Sequence, residues 1–206
     1  MRKQTKLVAV LSTAALLAIG ASMTSFAAQG WAEEDGTWVY YNRDGERATD
    51  QWKKSGNNWY YLDSDGEMAI DTLIEDGDNY YYVDINGVMA SNQWVAIDNE
   101  DAGEDDEPDH YWYYFQANGK AYTRSDNASE DSVSAKTING KKYAFDEEGR
   151  MLYGWVSGGE RQTDDDDDAW KESLYYFGDE DDGAMSLGWR QIYHRWTMNY
   201  EDLQPG

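Results

Sequence analysis

Rings and polar residues return along this chain at a fixed step of 21 positions. Trp31, Trp52, Leu73 and Trp94 stand at equal intervals, and so do Gly45, Gly66 and Gly87. In the second unit, Trp59-Tyr60-Tyr61-Leu62 is a short ring-rich run with strand propensity, closed by the turn chemistry of Asp63-Ser64-Asp65-Gly66. Strand alternation sets Trp59 with Tyr61 on one face and Tyr60 with Leu62 on the other. A turn at Ser55-Gly56 predicts a β-hairpin in which Trp52 lies directly across from Trp59. Met68 then leads onward and fills a gap between units.

The phrase returns with edits. Unit one holds Trp31, Trp38-Val39-Tyr40-Tyr41 and Gly45; unit three holds Leu73, Tyr80-Tyr81-Tyr82-Val83 and Gly87-Val88-Met89. Unit four opens at Trp94 and closes with Trp112-Tyr113-Tyr114-Phe115 and Gly119, its turn lengthened by an acidic insert around Asp98 to Asp109. Unit five has Lys142-Tyr143-Ala144-Phe145 and Gly149-Arg150-Met151 but no opening Trp. Unit six runs from Gly154-Trp155 through Asp164 to Asp168 into Leu174-Tyr175-Tyr176-Phe177, and Gly188-Trp189 opens a partial seventh.

Such a repeat predicts an all-β solenoid of stacked hairpins over residues 30–189, followed by a tail or truncated repeat at 190–206. Composition agrees, with 17 Tyr and 10 Trp against 4 Phe. Tyr and Trp keep one edge wet while burying the other, so these rings line a surface and no single deep aliphatic core is expected.

Residues 1–27 read differently. Arg2, Lys3 and Lys6 precede an apolar run from Leu7 to Ala21, and Ser25-Phe26-Ala27 supplies small residues for cleavage, the pattern of a helical secretory signal peptide. The run is short for a membrane anchor, and no second apolar segment follows. The formal charge is −24, and loss of the three positive signal residues takes it to about −27. That excess excludes nucleic acid and anionic membrane surfaces as partners and favours cations. With no cysteine, stability comes from stacking and not from disulfides, which in an exported chain points to Gram-positive bacteria.

These residues together, Gly-Trp, a short turn, Trp-Tyr-Tyr and Asp-x-Asp-Gly-x-Met at a spacing near 20, resemble the cell-wall-binding or choline-binding repeats of Gram-positive bacteria and their phages, relatives of the glucan-binding repeats. The resemblance implies a left-handed β-solenoid in which choline sits between consecutive hairpins in a cage of aromatics. Two rings come from one hairpin, the Gly-Trp tryptophan and the first ring of Trp-Tyr-Tyr, and a third comes from the next. Carried over, it picks out Trp31 with Trp38 and a ring of unit two, and Trp52 with Trp59 and a ring of unit three. Tyr61, Tyr80 and Tyr82 are the candidates for the further rings. Trp94 with Trp112 is a third pair, provided the long acidic turn lets their strands pair. Leu73, Lys142 and Leu174 replace rings, so those junctions are expected to stack without binding choline, and Gln51 and Gln93 replace the glycine before the opening position.

The chemistry of such a cage follows from the ligand. A quaternary ammonium donates no hydrogen bond, so the negative faces of rings must hold it, at roughly 0.5 to 2 kcal/mol each. Several weak sites on one stack then gain avidity on a polymer. Other chemistries fail. Asp63-Ser64-Asp65-Gly66 lacks the acidic residues of a calcium loop at the positions of Tyr61 and Thr72. Asp164 to Asp168 reads as a solvated turn, and His110 and His194 have no ligand partners, so no metal and no cofactor is expected. No nucleophile sits on a strained turn beside a base, and no catalytic residue is assigned. The expectation is a secreted, wall-associated, non-catalytic module attaching to teichoic acid choline or another wall polymer. The alternatives are the targeting half of a wall hydrolase whose catalytic domain is missing, or a glucan-binding or structural surface protein. Oligomeric state is left open.

Overall fold

The computed structural model describes residues 29–104, 107–129, 132–162, 173 and 175–187. The signal segment, the run Asp164 to Asp168, Leu174, Trp189 and the tail lie outside them. Among the described residues every regular element is a strand. Four two-stranded hairpins come first: β1 (Gly30–Glu34) with β2 (Thr37–Tyr41), β3 (Gln51–Ser55) with β4 (Asn58–Leu62), β5 (Thr72–Asp76) with β6 (Asn79–Val83), and β7 (Gln93–Asp98) with β8 (His110–Phe115). Two three-stranded sheets follow. One orders β9 (Lys136–Ile138), β10 (Lys141–Phe145) and β11 (Met151–Leu152); the other places β12 (Gly154–Ser157) between β13 (Glu160–Arg161) and β14 (Tyr175–Phe177).

The turns set the register. Ser55 pairs with Asn58, so the two-residue loop of the second hairpin is Gly56-Asn57, one position later than the sequence suggested. Gly56 sits at φ +59°, the conformation the first loop position of such a turn requires. A turn at Ser55-Gly56 would have forced Ser55 there instead. Trp52 therefore pairs with Tyr61 and Trp59 with Lys54, which corrects the expected pairing of the two tryptophans. The same register recurs as Trp31 with Tyr40, Leu73 with Tyr82, Trp94 with Tyr114 and Trp155 with Tyr176. Despite the acidic insert, β7 and β8 pair along six positions, from Gln93–Phe115 to Asp98–His110.

Alternation gives each hairpin two faces with different work. One carries the opening residue and the third residue of the aromatic strand, and it meets the next unit; the other carries the second and fourth residues, and it meets the previous unit. The fourth residues Leu62, Val83, Phe115, Phe145 and Phe177 are all 0–1% exposed, so the core is a row of single apolar side chains, one per unit. Each fourth residue also bridges to the position two beyond its turn glycine, as in Leu62–Met68, Val83–Met89 and Phe177–Met185. That position in turn donates its amide to the previous unit: Met68 N to Trp38 O (2.7 Å), Met89 N to Trp59 O (2.9 Å), Ala121 N to Tyr80 O (2.8 Å) and Met185 N to Lys142 O (2.8 Å). The methionines do fill gaps between units, since Met68, Met89 and Met151 lie where β-carbons on Gly87, Gly119 and Gly183 would fall. At Asp63 the carboxylate closes its own turn, accepting from the amides of Asp65 (3.0 Å) and Glu67 (2.9 Å).

Candidate functional site

Each seam repeats one ring arrangement. Trp31 contacts Tyr40 of its own hairpin (centroids 5.3 Å apart) and Tyr60 of the next (5.4 Å). Trp52 contacts Tyr61 (5.1 Å) and Tyr81 (5.1 Å), and Trp94 contacts Tyr114 (5.2 Å) and Tyr143 (4.8 Å). Most of these contacts are edge-to-face, the arrangement that places the positive ring edge on the negative face. Leu73 takes the same place at the third seam, packed against the cluster of Tyr113 and Phe115.

The residues expected from the sequence fall into two sets. Trp31, Trp52 and Trp94 are the centres of these triads, and Tyr61 belongs to one of them. Trp38, Trp59, Tyr80 and Trp112 occupy the first position of their strands, two residues from the third and on the same face, toward the hairpin tip. Tyr82 stacks with Phe115 (6.1 Å) and donates its hydroxyl to Asp71. The rings that sequence reasoning left out are Tyr40, Tyr60, Tyr81, Tyr114 and Tyr143. Period-two alternation combined with the correct turn register would have found them.

The outermost ring is Trp59, 40% exposed. The Lys54 ammonium, its cross-strand partner, stands 5.7 Å from the ring centroid, and Lys53 Nζ stands 4.8 Å from that of Tyr40. Carboxylates border the rings as well. Asp76 Oδ2 accepts the Trp52 indole N–H at 3.1 Å, and Asp181 Oδ1 accepts that of Trp112 at 3.3 Å while lying 3.2 Å from His110 Nε2. Burial pushes the Tyr61 and Tyr81 phenols up, and nearby aspartates add to it: Asp50, Asp76 and Asp63 for Tyr61, Asp76 for Tyr81. The local field at these seams is therefore negative, which attracts cations. Among the described residues no group of three or more His, Cys, Asp or Glu side chains gathers to hold a metal ion.

Comparison with known proteins supplies the family. The model described as choline-binding repeat matches residues 28–70 and 49–94, and that of the cell wall binding repeat matches 111–121. Choline binding protein F from Streptococcus pneumoniae has a similar structure, with 26% identity and a TM-score of 0.51 over 80% of this chain and 47% of that one. The choline binding domain of Spr1274 from Streptococcus pneumoniae is 30% identical over 46% of this chain and 95% of that domain, with a TM-score of 0.34. This chain thus spans just under half the length of choline binding protein F. No curated protein sequence matches it. Repeat, hairpin register and family models agree, and the chain belongs to the choline-binding repeat family.

Proposed function

We propose that this chain is an exported, non-catalytic module that attaches to choline-bearing polymers of a Gram-positive cell wall, through ring faces at the seams between hairpins. The observation that carries the reading is Trp59, an exposed indole over which an ammonium, that of Lys54, already stands. A ring face that holds a primary ammonium attracts a trimethylammonium group by the same quadrupole, and choline loses less hydration on arriving. Trp52 and Tyr80 complete that seam from the same and the following hairpin, and Trp31 with Trp38 offers a second. Trp94 with Trp112 offers a third, where Asp181 adds a carboxylate beside the indole. Each site binds weakly, and a rigid row of them on one polymer gains affinity through effective concentration.

The test is retention of the exported chain on a quaternary-amine matrix. Elution by free choline, but not by equal sodium chloride, is expected, with retention reduced in Trp59→Ala and Trp38→Ala. Elution by salt and choline alike would show plain ion exchange by an acidic chain and end the reading.

A further inference from the structure

A cleft of about 400 Å³ opens where units two, three and four meet, within the range of small-ligand pockets. Nine residues line it and none is charged, although 28% of the chain is Asp, Glu, Lys or Arg. Four of the nine are carboxamides, Asn57, Asn58, Gln93 and Asn118; Ser91 adds a hydroxyl and Trp59 a ring. A larger cleft of about 780 Å³ shows the contrast, with five carboxylates on its walls from Glu75, Asp78, Asp126, Glu147 and Glu160.

Two of the amides have their orientation set by the protein. Asn118 Oδ1 accepts the Lys120 amide at 3.1 Å, which leaves its N–H groups for a ligand. Asn58 Nδ2 donates to the Tyr60 hydroxyl at 3.4 Å, which leaves its oxygen as an acceptor. A wall with fixed neutral donors and acceptors beside an indole suits a ligand that offers both functions on adjacent carbons together with a C–H-rich face. It does not suit a quaternary ammonium, which can neither donate to Asn58 nor accept from Asn118.

We infer that this cleft binds an uncharged pyranose of a polysaccharide, stacked on Trp59 and hydrogen-bonded by Asn58, Gln93 and Asn118. The site is separate from cation binding at the seams and does not depend on it, although both use Trp59. The sugar has two possible sources with one chemistry, the amino-sugar strand of peptidoglycan or a neutral glucan.

The experiment titrates the full chain with a chito-oligosaccharide and, separately, with an isomalto-oligosaccharide, following tryptophan fluorescence and calorimetric heat. Saturable binding of either is expected, and the better ligand identifies the source. Gln93→Ala should weaken it about three- to tenfold, the effect of one lost hydrogen bond. Asn118→Asp keeps the oxygen that caps the Lys120 amide but removes the donor, so it should weaken sugar binding while choline-specific retention is unchanged. Absence of binding by both oligosaccharides, or equal binding by both variants and the parent chain, would overturn the proposal. Loss of choline retention with sugar binding intact would instead count against the seam reading alone.

Discussion

Trp52 and Tyr81 belong to different hairpins, yet their ring centroids lie 5.1 Å apart across the seam, tilted by 58°. Trp59, seven residues further along the same hairpin, is instead exposed beside Lys54. The two tryptophans therefore divide structure from binding. Trp52→Ala should destabilise the chain by about 2–3 kcal/mol, below the roughly 3–5 of a fully buried Trp because the ring is only half-buried. Trp59→Ala should cost about 1 kcal/mol or less and act chiefly on ligand retention. Denaturant melts of the two variants, set beside their elution from the quaternary-amine matrix, check this; equal losses of stability would refute the division.

Lys54 acts as a tethered competitor for the Trp59 face if choline binds there. Its Nζ lies 5.7 Å from the centroid, and an exposed cation–π contact is worth about 0.5–1 kcal/mol. Lys54→Gln should therefore tighten choline binding about two- to fivefold. Fluorescence titration at constant ionic strength reads this, and weaker binding by the variant would mean that the lysine does not compete.

Gly119 and Gly140 have nearly the same backbone, at φ +83° and +82°, but different surroundings. A β-carbon on Gly119 would fall 2.5 Å from Met89 Cε and Sδ, whereas one on Gly140 meets nothing within 4 Å. Gly140→Ala thus measures left-handed strain alone, about 1–2 kcal/mol. Gly119→Ala adds the displacement of Met89 from the seam and should cost more. In a Met89→Ala background the difference between the two should vanish, which thermal melts of the four chains would show.

The hairpin repeat was legible because the 21-residue step, the ring-rich strands and the turn glycines all carry the same period. Which rings meet was not, because it hinges on the loop being Gly56-Asn57 and not Ser55-Gly56; one position changes every cross-strand partner. Tyr60 and Tyr81 were passed over for that reason. The contact of Asp181 with Trp112, 69 residues apart, had no local signal at all, since the turn of unit six reaches unit four only once the units between them stack. The uncharged cleft was equally hidden: Asn57, Gln93 and Asn118 come from three units and look like ordinary turn or strand-end residues until those units meet.

Packed phenols also fix the response to alkali. Burial pushes the Tyr113 phenol up to about 12, and burial together with the hydrogen bond to Asp71 pushes that of Tyr82 up as well. In the unfolded chain both ionise near 10, their ordinary value. Below pH 10 folded and unfolded states hold these protons equally, and the contribution of the buried phenols is fully present. Above it the unfolded chain releases protons that the fold retains, so stability falls as pH rises from about 10 through about 12. Circular dichroism against pH, with tyrosinate absorbance recorded in parallel, should show the strands lost in that window together with the late-titrating tyrosines. Tyr113→Phe removes one of those protons and should move the transition to higher pH, whereas an unmoved transition would place the alkaline weakness elsewhere in the stack.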